Sequence, residues 1–508
     1  MATGGRPGQS SSLIRETYPL IPPFAYALIQ SDPETQQIKY TVVEVPLSSK
    51  EEEYAKMISD LLIEELDVDF ETLKDEKKAQ DYLRSKIMEI VKKFGVKVDE
   101  KGFDKILYHL QTEFLGFGRI EPLLKDHSIE DISCDGAGIP VYVWHRVHES
   151  IPTNIDFATH DELDSFVIKL AQRAGRHISV AHPLLDAALP DGSRLQLSLG
   201  KEVTMKGSTF TIRKFRSDPL TISDMVSFNT IDEQIAAFAW FALEYRKSIL
   251  ISGGTAAGKT SMLNSLAMFI RPGMKIVSIE DTAELNIPHE NWIPSVARAG
   301  FGAAESDGRR RGEVSMFDLL RASLRQRPDY LFVGEVRGEE AYIMFQAMST
   351  GHTAMGTIHG DSTVGVLRRL ESAPMNIPRT LLQALNLVMV QRRVRRAERH
   401  VRRTVEILEI VGVDPVTNEI VTNKIHAWNP RDDSFTFFGR SYILEDIMAQ
   451  TGWSEGEIYD EIDRRQTILR WMVKKKINHY QEVGKVIQRY YQNPEQLVDE
   501  ARRELKSL

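Results

Sequence analysis

The sequence has very little cysteine and no long hydrophobic run. Cys134 is its single cysteine in 508 residues, which excludes an intramolecular disulfide and a cysteine-based zinc site. No stretch of about 18 uncharged apolar residues occurs, although a helix that crosses a bilayer needs about that length. The start, from Met1 to Ser12, is rich in Gly and Ser and lacks the apolar core of a signal peptide. We therefore expect a protein of the reducing cytoplasm with no transmembrane segment of its own.

The sequence also lacks an excess of basic residues. It has 64 Lys and Arg against 72 Asp and Glu, a formal net charge of −8. Proteins that bind nucleic acid over much of their surface have the opposite balance. The composition therefore argues against nucleic acid as the partner of the whole chain, although a local basic patch is still compatible with it. At 508 residues the chain is too long for one core, and about three domains are expected.

One phosphate-binding motif is complete. The pattern G-x-x-x-x-G-K-[ST] begins at Gly253 and ends at Thr260, between a short apolar run at residues 248–252 and an apolar helical repeat. This setting between a buried strand and a helix makes the motif more specific than its letters alone. The predicted nucleotide-binding residues are Gly253, Gly254, Thr255, Ala256, Ala257, Gly258, Lys259, Thr260 and Ser261.

The motif predicts a site for ATP and Mg²⁺. Glycines let backbone N–H groups turn towards phosphate oxygens at a helix N-terminus, where the helix dipole favours anions. Lys259 should bridge the β- and γ-phosphates, and the Thr260 hydroxyl should bind Mg²⁺. The alternative is a glycine-rich turn between a strand and a helix that binds nothing.

From about residue 220 onward, strand and helix patterns alternate, which predicts an α/β fold with a parallel sheet covered on both faces. Ligands on such sheets bind at the carboxyl ends of the strands, so polar residues at these ends are the catalytic candidates. The predicted strands are residues 248–252, 275–279, 329–333, 354–358 and 386–391.

Two glutamates and a histidine stand at these strand ends. Glu280 opens an acidic run after the second predicted strand, and we favour it as a general base over a turn-capping role. After the third, Gly334 stands where a Walker B aspartate is usual, so Glu335 is predicted to hold Mg²⁺ or to share the role of base. His359, after the fourth, is either a γ-phosphate sensor or a packing residue, and His352 is a weaker candidate.

The rest of the chain divides by its patterns. Arg194 and Arg213 each lie on a predicted strand, from which a sheet could hold them outward as a rigid pair, and residues 217–219 are the predicted hinge. The predicted parts are a disordered tail at 1–15, a mostly helical N-terminal domain at 16–104, an α/β domain at 105–218, a nucleotide-binding core at 219–430 and a helical C-terminal extension at 431–508.

The most basic window of the chain is residues 391–403. Three interpretations are open: an interface with an acidic neighbouring subunit, which we favour, a site for nucleic acid or anionic lipid, and plain solvated charge. No aromatic residue lies within the window, which argues against stacking on single-stranded nucleic acid. The arginines are Arg392, Arg393, Arg395, Arg396, Arg399, Arg402 and Arg403.

Four ordered motifs carry a resemblance to a known family. With the run at 324–337, they resemble the signature of the secretion ATPases of type II secretion, type IV pilus and archaellum machines, over about residues 105–430. Four motifs in order are far more specific than one. The motifs are the phosphate loop at 253–260, an acidic box at 280–284, an atypical Walker B strand at 331–335 and a histidine box at 351–359.

Two departures from the family pattern favour its archaeal members. The family often has aspartate after the signature arginine, whereas Gly338 follows Arg337 here. Bacterial secretion members often carry a four-cysteine zinc module, which a chain with one cysteine cannot build. Whether the machine is a pilus, an archaellum or a secretion system stays open.

The resemblance implies a RecA-like P-loop ATPase core with a preceding PAS-like α/β domain. It implies a homo-hexamer in the cytoplasm, peripheral at the inner face of the membrane, that hydrolyses ATP to move a polytopic membrane platform protein. Family members place arginines of the preceding domain near the phosphates, which by position implies Arg194 and Arg213 here. Lys259 and the candidate residues at the strand ends complete the predicted catalytic set.

Two other functions stay open. A nucleic-acid translocase or conjugation-type secretion ATPase would share this core and would show hydrolysis stimulated by DNA. A regulatory scaffold would bind nucleotide without turning it over. A small-molecule kinase is disfavoured, because the sequence shows no signature of a lid or of a pocket for a second substrate.

Overall fold

The computed structural model describes residues 13–32, 35, 37–65, 76–216, 218–298, 300–304, 310–396 and 399–507. The chain forms two compact units, residues 1–215 and 216–508. Most of the predicted tail lies outside the described residues, and so does Ser217 of the predicted hinge. The finer division into five parts stays a prediction.

The first unit begins with a small antiparallel sheet. From the sequence we expect only its third strand. In β2 the buried residues are Ala25, Ala27, Ile29 and Ser31, and alanine gives only a weak apolar signal and serine gives none. Residues 13–15, placed in the tail from the sequence, belong to β1, which corrects that boundary. The strands, in sheet order, are β1 (Leu13–Ile21), β2 (Ala25–Ser31) and β3 (Ile38–Glu44).

Three amphipathic helices follow in the part of the chain for which the sequence predicts a mostly helical domain. They pack on one another through a shared core that includes Ile58, Leu83, Ile87 and Ile106. Each helix buries one apolar stripe and leaves its charged side to solvent. The helices are α1 (Ser49–Glu65), α2 (Glu76–Lys93) and α3 (Glu100–Phe114).

A six-stranded antiparallel sheet completes the first unit, in the order β6-β5-β4-β9-β8-β7. Helix α5 packs on it, with Leu163 and Val167 in one core with Phe210 and Ile212. This is the α/β module expected from the sequence. After a 3₁₀ turn at Gly118–Ile120, its elements are α4 (Glu121–Lys125), β4 (Ile129–Cys134), β5 (Tyr142–His145), β6 (Glu149–Pro152), α5 (His160–Arg173), β7 (Leu184–Ala188), β8 (Arg194–Ser198) and β9 (Thr209–Arg213).

The second unit alternates strands and helices and then ends in helices. Its elements up to the fourth strand of the parallel sheet are α6 (Ile222–Ser227), α7 (Glu233–Glu244), β10 (Ile249–Gly253), α8 (Lys259–Ala267), β11 (Ile276–Glu280), β12 (Trp292–Val296), β13 (Phe301–Ala304), β14 (Arg310–Arg311), α9 (Met316–Ser323), a 3₁₀ turn at Leu324–Gln326 and β15 (Tyr330–Val336). They are followed by α10 (Glu340–Ser349), β16 (Thr353–His359), α11 (Thr363–Glu371), α12 (Arg379–Leu382), β17 (Leu387–Arg396), β18 (Arg399–Val413), β19 (Ile420–Asn429), β20 (Ser434–Phe437), α13 (Tyr442–Thr451), α14 (Glu455–Lys475), α15 (Tyr480–Gln492) and α16 (Pro494–Ser507).

One large sheet organises this unit, in the order β12-β11-β15-β16-β10-β17-β18-β19-β20. The strands from β12 to β17 are parallel, and those from β17 to β20 are antiparallel. All five strands predicted from the sequence lie in the parallel part, so the prediction of a parallel α/β core is confirmed. A parallel sheet needs cover on both faces, and β10 shows it: Ile249 and Ile251 join the core on one face, and Leu250 joins the core on the other.

The C-terminal helices share a core with this sheet. Ile458, Ile462 and Leu469 of α14 are buried in the same cluster as Trp240 and Phe241 of α7. The extension therefore stabilises one face of the nucleotide-binding core directly. Within the part of the chain that the structure describes, no helix has both the length and the apolar character that a membrane crossing requires.

Candidate active site

The phosphate loop joins β10 to α8 in the middle of the sheet. β10 is buried along its length and pairs in parallel with β16 on one side and β17 on the other. Gly258, the residue before α8, has φ +89°, a left-handed conformation that glycine adopts without strain. Ala256 also lies in the left-handed region, at φ 58°. The loop therefore ends at a helix N-terminus, where the dipole favours an anion.

The Lys259 side chain lies against its own loop and beside the neighbouring strand. Its Nζ donates to the carbonyl oxygens of Gly253 at 3.0 Å and Gly254 at 2.9 Å, and it lies 3.5 Å from Nδ1 of His359. The other ring nitrogen of His359, Nε2, lies 3.3 Å from Oε1 of Glu335. The structure thus places three predicted catalytic residues in one line across the carboxyl ends of β10, β16 and β15.

Glu280 ends β11, the next strand of the same sheet, and only 2% of its surface is exposed. Its Oε1 accepts the backbone N–H groups of Glu284 and Leu285, both at 3.0 Å. Burial raises the pKa of this carboxyl from 4.5 to about 7, against the lowering effect of the two hydrogen bonds. The side chain therefore caps the turn and also has the proton affinity of a base that works near neutral pH.

The packing around position 334 explains why glycine stands where a Walker B aspartate is usual. A Cβ at this position would lie 3.0 Å from Cγ of Glu280, which is closer than side chains normally pack. The carbonyl oxygen of Gly334 accepts the Thr357 hydroxyl at 2.6 Å, so the strand is held against its neighbour. Glycine at 334 therefore makes the room that the buried Glu280 occupies.

The raised pKa of Glu280 predicts a pH dependence. A base must be ionised to accept a proton, so kcat/KM of ATP hydrolysis should fall about tenfold per pH unit below about 7 and level off above it.

The stability of the fold has the opposite pH dependence, because the raised pKa favours the neutral form of Glu280 in the folded protein. The contribution of Glu280 to the free energy of unfolding is complete below pH 4.5 and is lost as the pH rises through about 7.

The measurement is a pH profile of kcat/KM, with urea unfolding at low and high pH. Glu280→Gln should remove the pH-dependent loss of stability, whereas Glu290→Gln, at an exposed position, should leave it in place. A profile that falls only near the ordinary carboxyl pKa of 4.5 would contradict the role of Glu280 as base.

The turn after β15 gives a packing reason for Gly338, which stands where the family often has aspartate. Arg337 forms an ion pair with Asp281 of the acidic box. Oε1 of Glu340 accepts the backbone N–H groups of Arg337 and Gly338, each at 2.7 Å. A Cβ at 338 would lie 2.8 Å from Oε2 of Glu340. Glycine at 338 therefore leaves room for the carboxylate that caps this turn.

The two candidate arginines lie in the first unit. Arg194 on β8 and Arg213 on β9 face each other directly in the strand register, and both are exposed. Arg213 Nε lies 3.3 Å from Oδ1 of Asp131 on the adjacent strand. The predicted pair of arginines on neighbouring strands is therefore present, and its action on a nucleotide stays a prediction.

The structure places His352, the weaker candidate from the sequence, far from the phosphate loop, and it brings Arg402, which the sequence did not single out, close to the loop. His352 lies at the amino end of β16, at the opposite edge of the sheet from the loop, with Nδ1 3.4 Å from the Thr350 hydroxyl. Arg402 on β18 instead reaches the loop, where its Nε donates to the carbonyl oxygen of Ala256 at 3.0 Å. The two partners are 146 positions apart in the sequence, so no local pattern predicts the contact.

A phosphate loop at the centre of a parallel sheet, with acidic residues at the ends of neighbouring strands, defines a RecA-like P-loop protein. A family model described as "Type II/IV secretion system protein" matches residues 113–495. The chain belongs to this family.

Similar proteins are found among relatives and solved structures. An uncharacterized protein of Methanocaldococcus jannaschii is 36% identical over 498 residues, 94% of this chain and 88% of that protein, in line with the expected likeness to archaeal members. A putative conjugal transfer protein of Mycobacterium tuberculosis is 32% identical over 270 residues, 52% of this chain and 74% of that protein. The Legionella pneumophila ATPase DotB aligns over 77% of this chain and 96% of its own at 17% identity, with a TM-score of 0.41. The pilus retraction motor PilT with bound ADP aligns over 71% and 93% at 17% identity, with a TM-score of 0.39.

Proposed function

We propose that the chain binds ATP at the phosphate loop, hydrolyses it, and uses the energy to drive a secretion machine or the assembly of a pilus-like filament. One observation carries the proposal. Lys259, His359, Glu335 and Glu280 stand at the carboxyl ends of four strands that are consecutive neighbours in the sheet. Membership of the type II/IV secretion family supports the class of function.

In the proposed reaction a water oxygen attacks the γ-phosphorus in line with the oxygen that bridges to the β-phosphate. The bond from phosphorus to the bridging oxygen breaks, its electron pair stays on ADP, and the water's proton passes to a carboxylate. Glu280 is the acceptor we favour, because its pKa of about 7 is matched to that task. Glu335 polarises the water with it, Lys259 balances the charge of the phosphates, and His359 between them senses the γ-phosphate.

Mg²⁺ is part of this proposal. Thr260 is half-buried in the first turn of α8, and Glu335 supplies carboxylate oxygens at the end of β15. Hydroxyl and carboxylate oxygens are the hard ligands that Mg²⁺ prefers, so the donor set fits. Among the described residues no cluster of three or more His, Cys, Asp or Glu could hold a metal. Thr260 and Glu335 would hold the ion, which would supply charge neutralisation for the phosphates.

The proposed working unit is a homo-hexamer in the cytoplasm, peripheral at the inner face of the membrane, that acts on a polytopic membrane platform protein. Arg194 and Arg213 are proposed to stabilise the transferring phosphoryl group. The four ordered motifs and the family match over residues 113–495 support this assignment. Pilus, archaellum and secretion machines are three outputs that the same motor could serve.

A conjugation-type ATPase is the second candidate. Two observations favour it: the likeness to a putative conjugal transfer protein and the basic strands β17 and β18. The net charge of −8 counts against it.

Steady-state phosphate release separates the two candidates. The purified full chain is assayed alone, with single-stranded DNA, with duplex DNA and with anionic lipid vesicles, at low and high salt. A filament or secretion motor should hydrolyse ATP at a rate that DNA changes by less than about twofold. Stimulation of about tenfold or more that disappears at high salt would establish the conjugation-type ATPase instead.

A further inference from the structure

The basic window forms a two-stranded ribbon, here the paired segments of β17 and β18 from 391 to 396 and from 399 to 404. In its register Arg392 faces Arg403, and Arg393 faces Arg402. Arg403 is only 4% exposed and donates from Nε and Nη2 to the carboxylate of Asp433, both at 2.8 Å. The ribbon is therefore anchored to its own unit by a buried, bidentate ion pair.

The ribbon contacts the phosphate loop at two places, at the beginning of the loop and near the end of the loop. At the beginning, a Cβ on Gly253 would lie 2.5 Å from the carbonyl oxygen of Gln391 on β17. Near the end, Arg402 donates from Nε to the carbonyl oxygen of Ala256 at 3.0 Å, and a Cβ on Gly258 would lie 3.1 Å from Cδ of Arg402. The phosphate loop and the ribbon are therefore in direct packing contact at both places.

The bond from Arg402 fixes the orientation of one peptide group. In a planar trans peptide the C=O and the following N–H point in opposite directions, so a carbonyl of Ala256 held outward turns the N–H of Ala257 inward. The nitrogen of Ala257 donates to the carbonyl oxygen of Gly254 across the loop at 3.4 Å, a long hydrogen bond that a phosphate oxygen could replace. Ala256 has φ 58°, a left-handed conformation that is unfavourable for a residue with a side chain.

We propose that Arg402 is a positioning residue for the phosphate loop. Its Nε–H holds the peptide between Ala256 and Ala257 in the orientation that presents an N–H to the phosphates. The inference rests on the proposed nucleotide site and adds a residue to it. It assigns the effect to the hydrogen bond and not to the positive charge of the side chain.

Two substitutions separate these causes. The Nε2 of glutamine is the same number of bonds from the backbone as the Nε of arginine, so Arg402→Gln keeps a donor at this place without the charge. Arg402→Met keeps the length of the stem and removes the donor. Arg395→Met, on the same ribbon at an exposed position, is the matched control, and Arg402→Ala serves if the methionine variant does not fold.

The measurement is binding of ATP, ADP and inorganic tripolyphosphate to the full chain, with the melting temperature of the nucleotide-free protein as a check of folding. Arg402→Met should weaken all three ligands by about fivefold to tenfold, since one net hydrogen bond has about that effect. Arg402→Gln and Arg395→Met should stay within about twofold of wild type. In hydrolysis the loss should appear in KM and leave kcat within about twofold.

Three results would overturn the inference: unchanged binding by Arg402→Met, a glutamine variant as weak as the methionine variant, or weaker binding of ATP and ADP without weaker binding of tripolyphosphate. The last result would mean that Arg402 contacts the base or the ribose. A wild-type chain that binds none of the three ligands would instead remove the proposed nucleotide site itself.

Discussion

Glu335→Gln is expected to leave ATP bound and uncleaved. The carboxylate of Glu335 lies 3.3 Å from Nε2 of His359, whose Nδ1 lies 3.5 Å from the ammonium of Lys259. Glutamine has the same shape and can keep a hydrogen bond to the histidine, but it has no charge with which to polarise water or to support Mg²⁺. Loss of such a group lowers kcat by about 10²- to 10⁴-fold, whereas ATP affinity should change little.

Single-turnover hydrolysis of labelled ATP, measured beside equilibrium binding of ATP, tests this expectation. Glu339→Gln is the control, because Glu339 is an exposed carboxylate a few residues along the same turn. It should hydrolyse ATP at the wild-type rate. If Glu335→Gln also cleaves ATP at that rate, the carboxylate of Glu335 has no catalytic role, and Glu280 must activate the water alone.

Arg465→Ala is expected to cause the largest loss of stability. Arg465 is only 2% exposed, and its guanidinium lies 5.0 Å from the rings of Trp240 and Phe241 and 5.5 Å from that of Tyr490. It also pairs with Glu461 at 3.0 Å and with a second carboxylate, Glu244 of α7. Removal of the cation would leave Glu244 and Glu461, both half-buried, without their nearest positive charge, at a cost of about 3–5 kcal/mol of unfolding free energy.

Urea unfolding followed by tryptophan fluorescence measures this loss, because Trp240 is part of the cage around Arg465. Arg464→Ala is the matched control. Arg464 precedes Arg465 on the same helix, is 40% exposed and has one long ion pair, 3.8 Å from Glu461, so its removal should change stability by no more than about 0.5 kcal/mol. Equal unfolding free energies for the two variants would show that the cage does not hold α14 to the core.

Local patterns in the sequence predict the nucleotide-binding core well. The phosphate loop, its strand and its helix are specified by residues 248 to 266, and the strand ends that carry Glu280, Glu335 and His359 follow from the alternation of apolar runs and polar termini. These features depend on neighbours in sequence, so each can be read without the fold. The order of strands that makes them neighbours in space comes from the sheet.

The remaining features depend on contacts between distant residues. The glycine at 334 is explained only by the structure, in which the side chain of Glu280, from another strand, packs against it. Arg402 looks like any arginine of a basic window until the ribbon brings it to the loop. The short strand β2 escapes prediction because its buried positions include Ala25 and Ala27, whose apolar signal is weak. Long-range packing decides the cases of Gly334 and Arg402, and a weak apolar signal decides that of β2.

The central claim is that the loop containing Lys259 binds and cleaves ATP. Its most direct test is phosphate release from MgATP by the purified full chain beside Lys259→Ala, with circular dichroism to show that both are folded. We expect steady release by the wild type and none above background by the variant, since Lys259 is proposed to balance the charge of the phosphates. Equal rates for the two proteins, or no release by a folded wild type, would contradict it.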